Sequence, residues 1–268
     1  MSRLFSIAHL SLIDTPPAEL IRIAAQAGYD LVDLRLAPAT PTDRVYSSSE
    51  LKALQSALAP LLRDSGLKVW DVEIIRLKDD TNPHDYLPLM EIAARLGAAR
   101  IKLVCDTENH ACAAELLHAL AELAAPFELI LDLEYMVFSG VKTLEAAQAV
   151  VTDAGQPNLR VLVDALHWAR AGDTAEDIRK ASHLDYVQLC DAPAAAPGSA
   201  PTSREALIRE ARTNRLPPGD GELALADLLA AMPAQCTASL EVPLPPGHDP
   251  AAHACRLLAA ARSLCGDT

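Results

Sequence analysis

The feature that most constrains the fold is a repeated alternation of short apolar segments with helices rich in Ala and Leu. Each apolar segment has the length of a strand buried on both faces, and many of the helical segments begin near a proline or end at a glycine. Eight such pairs follow one another along the chain. Their strand segments are Leu4–Leu10, Leu31–Leu36, Leu67–Ile75, Arg100–Val104, Phe127–Leu133, Leu159–Val163, Tyr186–Cys190 and Thr237–Val242.

The helices are predicted between these strands and after the last of them. Their segments are Pro16–Ala27, Ser48–Asp64, Pro83–Leu96, Ala111–Ala125, Thr143–Ala154, about Ala175–Ala181, about Ala224–Ala231 and Pro250–Leu264. Short βαβ crossovers force a parallel sheet, and eight strands can close it, so we predict an α/β fold, a (β/α)8 TIM barrel formed by residues 1–268 as a single domain. An open doubly wound sheet usually carries a glycine-rich turn after its first strand, and His9–Ile13 contains no glycine.

Charge and cysteine usage narrow the classes of partner. A formal charge of −13 argues against nucleic acid or an anionic membrane and favours a small molecule or a cation. The six cysteines are scattered, which indicates neither a disulfide framework nor a structural zinc site. No convincing signal peptide or membrane span is found, and we expect a cytoplasmic protein. The sequence leaves the oligomeric state open and is compatible with a homo-oligomer.

Polar residues stand at or near the end of each predicted strand, where catalytic groups of such barrels lie. They are His9, Arg35, Glu73, Lys102, Glu134, Asp164, Gln188, Asp191 and Glu241. Four of them, Glu134, Asp164, Gln188 and Glu241, come from consecutive strands and would converge, and three close carboxylates need a proton or a cation between them. An all-oxygen ligand set favours Mn²⁺ or Mg²⁺, with Co²⁺ or Zn²⁺ as alternatives.

Several segments resemble a known family. Leu131–Glu134, Val163–His167, Val187–Asp191 and Ser239–Val242 are similar to the metal-binding segments of the xylose isomerase-like TIM barrel superfamily, the sugar phosphate isomerases and epimerases. Arg215–Glu222 resembles the R-x-x-P-G-x-G-E segment of many members, and the resemblance spans nearly the whole chain.

The resemblance implies a role for each matching residue. Glu134, Asp164 and Glu241 would be carboxylate ligands, and position 188 the fourth ligand, often His in the family. Gln188 departs from that pattern as in some members, including certain 3-dehydroshikimate dehydratases, so no single isomerase activity is favoured. A His three residues after the strand-six Asp lies beside the substrate in the family, which matches His167.

Other residues keep two interpretations from the sequence. Asp164 also suits a helix cap, and His167 a core histidine. His9 and Arg35 are candidate substrate contacts, whereas Glu73 and Lys102 would pair with each other or with Arg35.

One basic segment and one Ala/Pro-rich loop lie near the same end of the predicted barrel. The arginines Arg204, Arg209, Arg212 and Arg215 would hold a phosphate or carboxylate or form a solvated helix face, and Arg215 is favoured for the pocket. The loop 192–200 follows strand seven and suits a lid.

The residues and the resemblance together favour one activity. We expect a metal-dependent isomerase or epimerase of a sugar or sugar phosphate that acts through a metal-stabilised enediolate, with Glu134 and Glu241 as acid and base. A dehydratase or lyase on the same metal site, similar to 3-dehydroshikimate dehydratase, is the first alternative. A metal-dependent phosphodiesterase would need more histidines and a basic groove, and a non-catalytic binding barrel would lack the metal.

Overall fold

Eight parallel strands close into one barrel in a computed structural model that describes residues 3–40, 43–194 and 203–266. The strands are β1 Phe5–Ile7, β2 Leu31–Arg35, β3 Lys68–Leu77, β4 Arg100–Cys105, β5 Ile130–Glu134, β6 Leu159–Asp164, β7 Tyr186–Leu189 and β8 Thr237–Leu240. Each strand pairs in parallel with the next, and β8 pairs with β1. The predicted (β/α)8 barrel is confirmed.

Helices surround the barrel and connect its strands. They are α1 Pro17–Ala27, α2 Ser48–Ser65, α3 Leu87–Arg95, α4 His110–Ala124, α5 Leu144–Ala154, α6 Ala165–Ala171, α7 Ala175–Lys180, α8 Arg204–Thr213, α9 Leu225–Ala231 and α10 Pro250–Cys265. Their ends follow local chemistry. Ser47 and Glu50 form a capping box at the start of α2, and Gly66 ends that helix in the left-handed region at φ 75°. None of the helices in the described ranges is long and apolar enough to cross a membrane.

Several predicted segments differ from the structure. The fifth strand begins at Ile130 rather than Phe127, because Ala125–Phe127 forms a 3-10 turn and Glu128 adopts φ 57°. The third helix is split into a 3-10 turn, Pro83–Tyr86, and α3. The helix α6 was not predicted, since it follows β6 with no intervening loop. The proposed lid 192–200 lies mostly outside the described residues, which stop at 194 and resume at 203.

The interior of the barrel contains a polar layer. Asp33 on β2 accepts a hydrogen bond from Ser6 at 2.6 Å, and Tyr186 on β7 donates to Asp71 on β3 at 2.6 Å. Burial raises the pKa of Asp33 to about 7 and that of Asp71 well above its usual range. On each of these strands, the residue two positions after the one named here points to the same side of the sheet. It lies one layer nearer the carboxyl end of the barrel. That next layer forms the candidate site.

Candidate active site

Three buried carboxylates meet at the carboxyl end of the barrel. Glu134 is the last residue of β5, Asp164 is the last residue of β6, and Glu241 follows β8 directly. One oxygen from each of them lies within 4.8 Å of the others. The structure therefore brings together the three carboxylates that the sequence singled out.

Gln188 on β7 lies against this group. Its Nε2 donates to Glu241 Oε1 at 3.2 Å, while its buried Oε1 has no hydrogen-bond partner among the described residues. A buried amide oxygen without a partner is costly, because it has lost water without gaining another donor.

Lys102 on β4 crosses the barrel to the same carboxylates. Its buried Nζ lies 3.0 Å from Glu241 Oε1, 3.4 Å from Glu73 Oε1 and 3.9 Å from Glu134 Oε2. Glu73 also binds Arg35, whose Nη2 lies 2.6 Å from Glu73 Oε2. Both predicted pairings, of Glu73 with Lys102 and of Glu73 with Arg35, are therefore present. Lys102 also contacts two candidate metal ligands, Glu134 and Glu241.

Arg215 is a second buried cation of the site. Its Nη1 lies 2.5 Å from Asp164 Oδ2, its Nη2 lies 3.1 Å from Glu241 Oε2, and its Nε donates to the carbonyl of Ala211 at 2.7 Å. One guanidinium therefore joins the carboxylates of β6 and of the segment after β8.

Asp191 positions the turn that carries Arg215. Its carboxylate accepts hydrogen bonds from the backbone N–H groups of Gly219 at 2.9 Å and Leu223 at 3.0 Å. Gly221 packs so closely that an added Cβ would lie 2.3 Å from Asp191 Oδ1. A side chain at position 221 would therefore displace this turn, which explains the second glycine of the PPGDG segment.

Asp164 combines the two interpretations that the sequence left open. Its Oδ1 accepts hydrogen bonds from the backbone N–H groups of Leu166 at 2.9 Å and His167 at 3.0 Å, and so caps α6. Its Oδ2 faces Arg215. The cap fixes the orientation of the carboxylate, since one oxygen is held by the helix while the other points into the site.

Burial and neighbouring charges shift the pKa values of the ionisable groups of the site in different directions. For Glu241, burial alone would raise the pKa, but Lys102 and Arg215 lower it to about 2. For Glu134, burial raises the pKa to about 8, against the opposing charge of Lys102. Burial lowers the pKa of His167 to about 4, so its imidazole is neutral. Two carboxyl groups with divergent proton affinities are typical of acid and base pairs.

The histidines fall in different places. His167 lines the cavity with its Nε2 3.9 Å from Glu134 Oε1, and Phe138 packs edge-on against its ring. His9 is buried away from the cavity lining. Its Nδ1 accepts from the backbone N–H of Arg35 at 2.9 Å, and its Nε2 is 3.0 Å from the carbonyl of Thr15. Both of its ring nitrogens therefore serve the backbone, and the structure does not bring His9 to the substrate side.

A cavity of about 650 Å³ opens above these groups, within the size range of small-molecule sites. Arg35 and Arg215 line it, as do Met136, Phe138 and Arg76, which the sequence analysis did not single out. Those three lie beyond the strand residues that alternation identifies, or in loops, so no local pattern marks them.

The donor set fits a divalent metal. Glu134, Asp164 and Glu241 would supply carboxylate oxygens, and Gln188, whose Nε2 donates to Glu241, carries an unpartnered Oε1 that would supply a fourth oxygen. Oxygen-only sets suit hard cations such as Mn²⁺ or Mg²⁺. Such an ion would share Glu241 with Lys102 and Arg215.

The family model for xylose isomerase-like TIM barrels matches residues 21–261, and the chain belongs to this family. A search of curated proteins by sequence gives no significant match.

Solved structures of other proteins share the fold. The IolI protein with a bound zinc atom superposes with a TM-score of 0.80 at 16% identity, over 98% of each chain. D-psicose 3-epimerase, in a structure with D-fructose, gives 0.70 at 16% identity, over 98% of this chain and 99% of that chain. A probable 3-DHS dehydratase, AsbF from Bacillus anthracis, gives 0.72 at 13% identity, over 96% and 98%.

Proposed function

We propose that this protein is a divalent-metal-dependent isomerase or epimerase of a sugar or sugar phosphate. The observation that carries the proposal is the convergence of Glu134, Asp164 and Glu241 within 4.8 Å, where Glu134 and Glu241 line a cavity of small-molecule size. Three carboxylates held so closely from three segments of the barrel require positive charge between them; Lys102 and Arg215 supply part of it, and a divalent metal would supply more. The family and its epimerase and dehydratase neighbours support the same class of chemistry.

Glu134, Asp164, Gln188 and Glu241 would hold the metal, with Mn²⁺ or Mg²⁺ as the favoured ions. When bound, the ion supplies stabilisation of the negative charge that develops on neighbouring substrate oxygens as a carbon-bound proton is removed.

Glu134 and Glu241 line the cavity from strands on different sides of the metal-binding group. One carboxylate oxygen takes the proton from the substrate carbon and the other carboxyl returns a proton. Return from the opposite face inverts that carbon, and return to the neighbouring carbon interconverts aldose and ketose. The neutral imidazole of His167 next to Glu134, and the guanidinium groups of Arg215 and Arg35, would orient the substrate oxygens.

The decisive experiment measures solvent deuterium in the product of metal-loaded enzyme on a panel of ketoses and their phosphates. Carbon-bound deuterium should appear only with divalent metal, and Glu134→Gln should abolish turnover and exchange, because an amide can neither accept nor return the proton. Glu91→Gln, an exposed change on α3, is the matched control and should retain full activity. Full activity of Glu134→Gln after rigorous chelation would refute the proposal.

A dehydratase or lyase is the second candidate, and the positively charged lining of the cavity favours it. Arg35, Arg76 and Arg212 all line the cavity and would hold the carboxylate of a cyclic hydroxy-keto acid. The same proton removal would then be followed by loss of a β-hydroxyl. Ultraviolet absorbance of a conjugated product distinguishes this reaction from isomerisation, which forms no such product.

A further inference from the structure

Arg212 on α8 is a cation that has no counter-ion among the described residues. It is half-buried and lines the cavity, and no described carboxylate or other acceptor lies within ion-pair or hydrogen-bond distance of its guanidinium. Its neighbour Arg209 on the same helix is exposed. Since no described residue accepts a hydrogen bond from this guanidinium, its N–H donors are available to an anion that enters the cavity.

Two other arginines leave donors free in the same cavity. Arg35 uses Nε and Nη2 on Glu73 Oε2, at 3.0 and 2.6 Å. Arg76 uses Nε and Nη2 on the two carboxylate oxygens of Asp106, at 2.9 and 2.6 Å. In each case Nη1 makes no hydrogen bond to any described residue. Their carboxylates fix the planes of both guanidinium groups, so the remaining N–H donors have defined directions.

No nearby carboxylate among the described residues forms an ion pair with Arg212. Asp43 is its closest acidic influence, but the Asp43 oxygens accept from the backbone N–H groups of Ala39 at 2.9 Å and Thr40 at 3.1 Å. Burial lowers the pKa of Arg212, Asp43 opposes that shift, and Arg35 and Arg76 add to it. The three arginines line one cavity and are close enough for their positive charges to repel.

The balance of the lining is positive although the protein is acidic overall. Among the described residues that line the cavity, seven are Lys or Arg and three are Asp or Glu. The carboxylates at the base are already paired with Lys102 and Arg215. The excess positive charge lies nearer the solvent, at Arg212, which is half-buried whereas the carboxylates are buried.

We propose that Arg212, with the free Nη1 groups of Arg35 and Arg76, binds an anionic group of the substrate, a phosphate or a carboxylate. The assignment rests on the proposed function, because it places this anion on the same molecule that reacts at Glu134 and Glu241. The substrate is then an acidic sugar derivative with its charged end toward the mouth and its reacting carbon at the base. Neutral sugars would leave Arg212 unpaired.

The test is calorimetric titration of metal-loaded protein with inorganic phosphate and with malonate at fixed ionic strength. The wild-type protein should bind at least one of them saturably, and Arg212→Gln should weaken that binding about tenfold or more, as loss of a charge-assisted hydrogen bond implies. Arg209→Gln, on the same helix but exposed, should bind as the wild type does. Arg212→Lys keeps the positive charge but loses the paired N–H donors of the guanidinium, so its affinity for the anion should lie between those of the wild type and Arg212→Gln.

The outcomes separate the sources of the anion and the two proposals. Tighter binding of phosphate indicates a sugar phosphate, and tighter binding of malonate indicates a carboxylate substrate. No saturable binding, or equal affinity in the wild type and Arg212→Gln, overturns the inference. The titration needs no turnover, so failure of the isomerase proposal alone would leave an Arg212-dependent anion site intact. An anion site that fails while deuterium exchange succeeds would leave the isomerase proposal standing with a neutral substrate.

Discussion

Replacing Lys102 by Met tests how the site holds its carboxylates when no metal is bound. Methionine keeps most of the length and apolar contact of the lysine side chain but removes its charge. The ammonium lies 3.0, 3.4 and 3.9 Å from Glu241, Glu73 and Glu134, and all four groups are buried. Lys102→Met would leave three buried carboxylates short of one positive charge.

The magnitude follows from these distances. At an effective dielectric constant near 20, each contact contributes about 4 to 6 kcal/mol of Coulomb energy. The desolvation of Lys102 and protonation of a carboxylate offset much of that sum, and loss of one partner from a buried ion pair typically costs about 3–5 kcal/mol. For a chain of this length, roughly 2 °C of melting temperature corresponds to each kcal/mol, so Lys102→Met should melt about 6–10 °C lower in chelator.

The same substitution should strengthen metal binding. A dication next to Glu241 and Glu134 would no longer be repelled by an ammonium 3.0 Å from Glu241. We expect the affinity for Mn²⁺ to rise by about tenfold or more, which corresponds to about 1.4 kcal/mol. Saturating Mn²⁺ should therefore restore more stability to the variant than it adds to the wild type.

Thermal denaturation in chelator and calorimetric titration with Mn²⁺ measure both effects. Lys52→Met, an exposed change on α2, is the control and should match the wild type in both assays. If Lys102→Met melted as the wild type does in chelator and bound Mn²⁺ no more tightly, the electrostatic account of the site would be wrong.

Three further predictions concern other parts of the barrel. Burial raises the pKa of Asp71, so the folded state keeps a proton that the unfolded chain releases above about pH 4, and stability falls as pH rises toward the folded pKa. Asp71→Asn should keep the hydrogen bond from Tyr186, flatten this slope in urea denaturation, and exceed the wild type in stability near pH 8. Gly221→Ala forces a Cβ to within 2.3 Å of Asp191 and should lower both the melting temperature and kcat, whereas Gly219→Ala, with open space at φ 89°, should cost only about 1 kcal/mol. Glu241→Gln should abolish the rise in melting temperature that Mn²⁺ produces in the wild type, as measured by differential scanning calorimetry.

Most of the strand and helix order could be predicted because it depends on local patterns. Apolar runs bounded by turns identify the strands, and proline and glycine positions identify many helix ends. One error falls where the pattern is shortest. The helix α6 has seven residues and begins directly after β6, so nothing in the sequence separates it from the strand.

The candidate carboxylates were also visible, because a polar residue at the end of an apolar strand is conspicuous. Glu134, Asp164 and Glu241 come together as expected from parallel strands in a closed barrel. The interpretation of His9 as a substrate contact is not supported by its position, since both ring nitrogens bind the backbone. A histidine at a strand exit gives no indication of which way its ring will turn.

The sequence by itself determined the barrel and the residues at its carboxyl end, because strand and helix periodicity and strand termini are properties of neighbouring residues. Only the tertiary structure decided which of those residues pair. Lys102 on β4 reaches Glu241 after β8 across the barrel, and Arg212, in the same cavity as Arg35 and Arg76, forms no ion pair with any residue of ranges 3–40, 43–194 and 203–266. Such pairings depend on distances across the closed barrel and on loops that return over its mouth, and residue order along the chain does not encode them locally.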